Sequence, residues 1–341
     1  MKAIRINSPR DLEICQVDDI DNRKLNAGEV WVKTKAAGIC GSDFHIYNGT
    51  HPIGDYPKII GHEMVGEVQA VGKGVNRVGP GDHVVLNPMI SCNVCYACSI
   101  GRPNICSTLQ VRGVHVDGGY QEHLVLPESR LHTVDQKLDW TTAVLIEPYT
   151  IAAQVIWRSR ITAQDNVLIT GAGPIGLAVL EMAKLEGANC TITDLFDEHL
   201  EIAHQIGADY TINSSRENVE DAIKQRSAHT NISVIIEAVG LTSLLEQAVR
   251  IAAPAARIVV LGFEQKPIIV SQFDFAFKEL EIIGSRLNTQ KFPEVIDAFN
   301  SGNVRPKPLI THTFHFTEAQ QAFHLLEKQP EKVCKIVLLF D

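Results

Sequence analysis

Four cysteines crowd into fifteen residues, in the run CNVCYACSIGRPNIC from Cys92 to Cys106. Two C-x-x-C steps share Cys95, joining Cys92 to Cys98, and a short loop then returns the chain to a fourth sulfur at Cys106. Thiolates so spaced can meet on one tetrahedral zinc at about 2.3 Å, a closed and water-free site whose role is structural. Buried free cysteines or an iron–sulfur cluster are the alternatives; the first is disfavoured by the density, the second by the lack of any sign of redox partners. Zinc would order a loop with too few apolar residues to order itself.

A second set of donors is dispersed: Cys40 in GICGSDFH, His62 in GHEMVGEV and Glu147 in IEP. One thiolate, one neutral imidazole and one carboxylate leave a fourth tetrahedral position for water or substrate, and that open position is what makes zinc catalytic. Taken singly, a lone cysteine is more often core, a lone histidine more often a hydrogen-bonded structural residue, and a glutamate before Pro148 starts or caps a turn.

The run NVLIT, Asn166 to Thr170, leads directly into Gly171-Ala172-Gly173-Pro174-Ile175-Gly176, which fits G-x-G-x-x-G with helix-like sequence after it. Gly171 permits a tight turn, Gly173 lets the backbone approach a pyrophosphate, and Gly176 lets the helix pack closely on the strand. The helix start then offers unpaired N–H groups and its positive dipole end to the phosphates. Asp194 ends the next strand, placed to accept hydrogen bonds from an adenosine ribose and to repel a 2′-phosphate; with no arginine at Leu195 or Phe196, NAD is favoured over NADP. A Gly-rich turn and a solvated strand-end acid are the plain alternatives.

A chain of 341 residues suggests about two domains of roughly 150 each, with room for a cleft. From Met1 to about Trp140, Gly and Pro break up short β-rich runs (Glu29 to Thr34, Met64 to Val71, His83 to Leu86), which predicts a small irregular β-barrel. TTAVLIEPYTIAAQVIW then has helical spacing interrupted by Pro148 and marks the seam. Beyond it strand and helix alternate, with strands expected at 190–194, 210–213, 233–238, 257–262 and 280–284; that alternation gives an α/β fold with a doubly wound parallel sheet. The expected division is 1–148 with 291–341 in one domain and 149–290 in the other.

Apolar residues make up 45% and charged residues 21%, the balance of a folded globular protein. The net charge of −9 comes with no Lys/Arg cluster, which disfavours nucleic acid as a partner. Met1 to Asp11 lacks the apolar stretch of a signal peptide and no run of about 18 apolar residues occurs, so a cytoplasmic protein without membrane contact is expected.

GICGSDFH, GHEMVGEV with GDHV at Gly81 to Val84, the four-cysteine run and VLITGAGPIGLA together resemble the zinc-containing medium-chain dehydrogenase/reductase family, over essentially the whole chain. The IEP segment is similar to its polyol, sorbitol and threonine dehydrogenase branch, and PAARIVVLGF, GSRLN and LITHTFHF to its sugar-acid dehydrogenases. That resemblance implies a GroES-like β-barrel catalytic domain built from both chain ends, with a Rossmann domain inserted. It implies catalytic zinc on Cys40, His62 and Glu147, structural zinc on Cys92, Cys95, Cys98 and Cys106, and a homo-oligomer, dimer or tetramer. Glu63 either replaces Glu147 on the metal or lies just behind it.

The activity so implied is NAD-linked oxidation of a secondary hydroxyl on a small polyhydroxylated substrate, with hexonates such as L-gulonate favoured. The metal lowers the pKa of a bound hydroxyl from about 16 towards neutrality. The proton leaves through Ser42, a cofactor ribose hydroxyl and His45, and Asp43 orients His62. Arg286 in GSRLN is the candidate cation on the cofactor side, able to fork onto a substrate carboxylate or hydroxyl, with His115 a weaker one. The plain alternatives are a turn serine at Ser42, a surface histidine at His45 and a loop-bracing arginine at Arg286. Rival functions are a quinone-reductase-like enzyme, a sensor or structural protein without turnover, and a threonine-type amino alcohol dehydrogenase.

Overall fold

The computed structural model describes residues 1–20, 25–226 and 231–341. The chain forms two units, one of Met1–Glu147, Phe292–Gly302 and Ile310–Asp341, the other of Pro148–Lys291 and Asn303–Leu309.

In the first unit, Glu29–Ile39 buries Val30, Val32, Thr34 and Ala36 in alternation, the period-two pattern of a strand with one face on a core. It is the hub of a seven-stranded sheet. Around it the order runs Leu131–Thr133, His83–Leu86, Glu63–Val71, Glu29–Ile39, Lys335–Leu339, Ile310–His315, and His123–Pro127 also pairs with the hub strand. Val30, Val32, Met64, Val68, Leu86, Leu124 and Leu126 form the apolar cluster inside, each contributing roughly 1.5–3 kcal/mol on full burial. Register decides what meets at one end of this sheet: Gly38 lies opposite Glu63 on one side and Val337 on the other, so residues 335–337 from the end of the chain flank residues 38–39. A separate pair of two-residue strands, Met89–Ile90 and Gln110–Val111, closes the base of the four-cysteine lobe.

The second unit is a six-stranded, wholly parallel sheet ordered Tyr210–Asn213, Asn189–Asp194, Asn166–Thr170, Val234–Glu237, Arg257–Val260, Glu281–Gly284. Counted along the chain that is 3-2-1-4-5-6, the doubly wound order in which ligands bind beyond the carboxyl ends of the first and fourth strands, where the order reverses. Asn166–Thr170 buries four of its five residues, which is why NVLIT reads as an unbroken apolar run and not as an alternating one. The stretch Asn303–Leu309 groups with this unit; within it, the Arg305 N–H donates to the Glu181 carboxylate at 2.5 Å.

The helical segment after Thr141 breaks at Val144–Leu145, not at Pro148. Trp140–Ala143 is one short helix, and Ile146–Ser159 starts a second with Pro148 in its first turn, where the missing N–H has no intrahelical partner to lose. Among the described residues no helix is long and apolar enough to cross a membrane.

Candidate functional site

Cys40 is the N-cap of the helix Gly41–Asn48, and that helix carries Ser42 and His45. Asp43, three residues on and completely buried, accepts the Cys40 N–H at 3.0 Å and the Gly61 N–H at 3.2 Å. Tyr120 Oη lies 2.8 Å from Gly38 O and 3.0 Å from Asp43 Oδ2, its single proton shared between them. One carboxylate thereby fixes the backbones that carry Cys40 and His62. Its distance to His62 Nδ1 is 3.7 Å, beyond hydrogen-bond range, so Asp43 acts through the backbone instead of bonding the ring as expected.

Donor atoms of Cys40, His62 and Glu63 all lie within 4.8 Å of one another. Glu147 is not a member of that close set; it sits in the first turn of Ile146–Ser159, only 3% exposed, where its charge and that of His62 still act on each other. Glu63 is equally buried and faces a cation that sequence reading did not anticipate: Lys335 Nζ hydrogen-bonds Glu63 Oε1 at 2.6 Å and Ile39 O at 3.0 Å.

Carboxylates packed this deep pay in charge. Burial raises Asp43 above the ordinary carboxylate range despite the opposing pull of His62, and pushes Glu147 up to about 7. Burial would lower His62, but Asp43 and Cys40 overcome it and hold the imidazole well above its ordinary value. A buried, anion-rich cluster of a thiol, an imidazole and carboxylates is the donor set that a divalent cation neutralises, and the residues fit zinc.

In the lobe, Cys92, Cys95, Cys98 and Cys106 bring their sulfurs within 4.8 Å of one another, and all are free thiols. Cys95 Sγ is 3.5 Å from Cys98 Sγ, and Cys106 Sγ is 3.4 Å from Cys92 Sγ. Backbone N–H groups of Cys92, Cys95 and Thr108 point at these sulfurs, as they do at thiolates. Such donors from Ser107 and Cys98 draw Cys95 down to about 5, while burial and the adjacent sulfurs push Cys98 up to about 12. Four sulfurs this close cannot all ionise without a cation among them, so this site also fits zinc.

In the second unit Gly171 has φ +93 and Gly173 caps the helix Pro174–Leu185, with Pro174 at its first position, followed by Ile175. A Cβ on Gly176 would strike the Gly171 carbonyl, so only glycine permits this approach of helix to strand; a Cβ on Gly173 would meet nothing within 4 Å, which leaves the room a pyrophosphate needs. Asp194 accepts the Ala172 N–H at 2.7 Å and the Phe196 N–H at 3.0 Å, with His199 Nδ1 3.5 Å away. Burial works against its ionisation, yet His199 and these N–H groups hold it below the ordinary range, so the acid beside the glycine turn is an anion. Arg286 lies over the Phe263 ring at 5.8 Å. His115 is tied locally, accepting the Val111 N–H at 3.1 Å.

Sequence reading missed Lys335, Tyr120 and His199. Only Lys335 leaves a signal, as the one charge in the terminal apolar run CKIVLLF.

A doubly wound sheet with a glycine turn and a strand-end acid, in one chain with a Cys/His/carboxylate cluster and a four-thiol lobe, defines a dinucleotide-linked dehydrogenase equipped for metal. Family models agree: an alcohol dehydrogenase GroES-like domain matches residues 26–136 and a zinc-binding dehydrogenase matches residues 174–301. The starvation-sensing protein RspB of Escherichia coli K12 is 43% identical, with 100% of both chains covered. L-galactonate-5-dehydrogenase of the same organism is 30% identical over 86% of this chain and 87% of its own. Among solved structures, the rspB alcohol dehydrogenase of E. coli CFT073, complexed with NADH, superposes with a TM-score of 0.94 at 43% identity, covering 100% of this chain and 99% of that one. The chain belongs to the zinc-containing medium-chain dehydrogenase/reductase family.

Proposed function

We propose that this protein oxidises a secondary hydroxyl of a sugar acid or polyol to a ketone with NAD, a hexonate such as L-gulonate, oxidised at carbon 5, being the favoured substrate. The observation that carries the reading is the convergence of Cys40, His62 and a buried carboxylate within one unit. When bound, zinc on Cys40, His62 and Glu147 would supply a Lewis acid toward the substrate hydroxyl, zinc in the four-cysteine lobe would supply rigidity, and NAD would supply the hydride acceptor. Similarity to an L-galactonate-5-dehydrogenase supports a sugar acid over a simple alcohol.

The chain's own residues handle the proton and the cofactor. Ser42 and His45 are three apart on the helix capped by Cys40 and so share a face; Ser42 is half-buried and His45 exposed, with Nδ1 2.9 Å from Thr50 Oγ1. Ser42 takes the hydroxyl proton and His45 delivers it to solvent. Gly171, Gly173, Pro174, Ile175 and Gly176 receive the pyrophosphate, Asp194 the adenosine ribose, and Arg286 an anionic group of cofactor or substrate.

NADH absorbance followed over a panel of hexonates, polyols and L-threonine, with NAD and NADP in parallel and with and without a chelator, tests this function. Chelator-sensitive NAD reduction by a hexonate is expected. Activity with none of the panel would remove it in favour of a protein that binds metal and dinucleotide without turnover. Ser42→Ala should lower kcat about a hundredfold at unchanged zinc content, in line with the loss of one proton-transfer group; unaltered kcat would eliminate the serine from the path. Asp194→Ala should weaken NADH binding by roughly 10–100-fold, about 1.5–3 kcal/mol for hydrogen bonds to a charged group, and narrow the preference over NADPH. Fluorescence titration of both cofactors reads this directly, and equal affinities in parent and variant would refute the ribose role.

A further inference from the structure

Just past the helix capped by Cys40, the His51 N–H donates to His45 O at 3.2 Å, and the His51 ring turns back so that Nδ1 accepts the Ile53 N–H at 3.2 Å. His115 is held the same way on a second loop: its Nδ1 accepts the Val111 N–H at 3.1 Å, and its own N–H donates to Val111 O at 2.9 Å. A ring nitrogen that accepts cannot carry the proton, so in both rings the N–H lies on Nε2, across the ring from the backbone that fixes it. Both residues are half-buried.

The second loop presses on the residue before His62. A Cβ on Gly113 would come within 2.6 Å of the Gly61 carbonyl oxygen, and one on Gly118 would strike the same atom, so only glycine permits this approach. Lys58, 8% exposed, straps the loop down: Nζ donates to His115 O at 3.0 Å and pairs with Asp55 Oδ1 at 3.0 Å. Burial first, then the charges of His45, His115 and His62, hold His51 below the ordinary imidazole value, so that ring is neutral at neutral pH. Such charge effects fade beyond about 10 Å at ordinary ionic strength, the scale of an extended six-carbon acid. His45 has its Nδ1 at Thr50 Oγ1 and the Lys58 charge is matched by Asp55, whereas the Nε2–H groups of His51 and His115 have no partner among the described residues. We propose that His51 and His115 are substrate-binding residues that donate from Nε2 to the carboxylate of a sugar acid and so select it over the corresponding polyol. This rests on the sugar-acid reading above and gives it two named residues. A carboxylate only accepts and presents two oxygens to two donors; an ammonium, which only donates, would meet the same N–H groups head-on.

Calorimetric titration of the full-length protein, loaded with zinc and NADH, reads this selection without turnover. The two probes are L-gulonate and sorbitol, the hexitol that carries CH2OH in place of that carboxylate. The parent should bind L-gulonate roughly 10–100-fold tighter than sorbitol, the range for hydrogen bonds to a charged acceptor. His51→Leu and His115→Leu should each cut that preference about tenfold. His115→Gln, whose amide N–H can stand near the place of Nε2, should keep most of it. Should a leucine variant fail to fold, His51→Asn and His115→Asn decide instead: asparagine can still accept the backbone N–H but ends short of Nε2, so the preference should be lost. A preference unchanged in both leucine variants, as expected of histidines that only brace their loops, would overturn the proposal, and so would a parent that binds acid and hexitol alike. Failure of the proposed function looks different. A parent that selects L-gulonate without reducing NAD would refute the activity and keep the carboxylate site, whereas a parent that oxidises the hexonate while its variants retain the full preference would do the reverse.

Discussion

In a His62→Ala protein, turnover of every oxidisable alcohol falls by about a thousandfold, one zinc equivalent per chain is lost, and NADH still binds. The size follows from what is removed: a metal Lewis acid contributes several kcal/mol of transition-state charge stabilisation, and about 4 kcal/mol corresponds to three decades in rate. Alanine takes away the one neutral donor of the cluster, leaving Cys40 with the buried carboxylates Asp43, Glu63 and Glu147. With the imidazole gone, the site loses one of the three donors of an already open shell, too few to hold the ion. NADH binding survives because the glycine turn and Asp194 belong to the parallel-sheet unit. Zinc analysis, kcat and NADH titration on the same preparation check all three parts. Turnover within tenfold of the parent at full zinc content would show that His62 is no ligand; loss of NADH binding would show that the substitution damaged the whole chain.

The parts of this molecule legible in its sequence are those in which cause and effect lie close along the chain. Inner strands of the parallel sheet are buried on both faces, so Asn166–Thr170 stands out as a short apolar run with the bounds read from sequence. All four lobe thiols fall within fifteen residues, and their convergence is set by local turns such as the left-handed Asn93, φ 61, between Cys92 and Cys95. The dispersed cluster is different. Which carboxylate approaches His62 depends on the pairing of Gly38 with Glu63 and with Val337, the latter a contact spanning most of the chain, and spacing alone cannot rank Glu63 against Glu147. Lys335 enters by the same long-range register. Two-residue strands such as Met89–Ile90 and Lys58–Ile59 carry no pattern to read, since an alternation needs several residues to declare itself.

The other large effect belongs to the lobe, where Cys95→Ser should lower the thermal midpoint by about 10–20 °C and release one zinc equivalent while the dispersed cluster keeps its own. Structural zinc is worth about 10–16 kcal/mol in isolated small domains, and even a third of that lost here corresponds to such a shift for a domain of this size. No apolar core stands ready to take over. The helix Tyr96–Ser99 buries none of its residues, and Val94, Tyr96 and Ile100 are 83%, 79% and 51% exposed. A serine hydroxyl in place of the thiol, drawn down to about 5 by its N–H donors, offers zinc a far weaker ligand and leaves those N–H groups aimed at the wrong atom. Cys334→Ser supplies the control, because that thiol is buried in the core of the same unit and belongs to neither metal cluster; its cost should stay near 1 kcal/mol. Unfolding should also begin locally, with hydrogen exchange in the variant fastest between Cys92 and Cys106. A midpoint and zinc content in Cys95→Ser equal to those of the parent would mean that the lobe stands without a metal, and the four-thiol geometry would then need another cause.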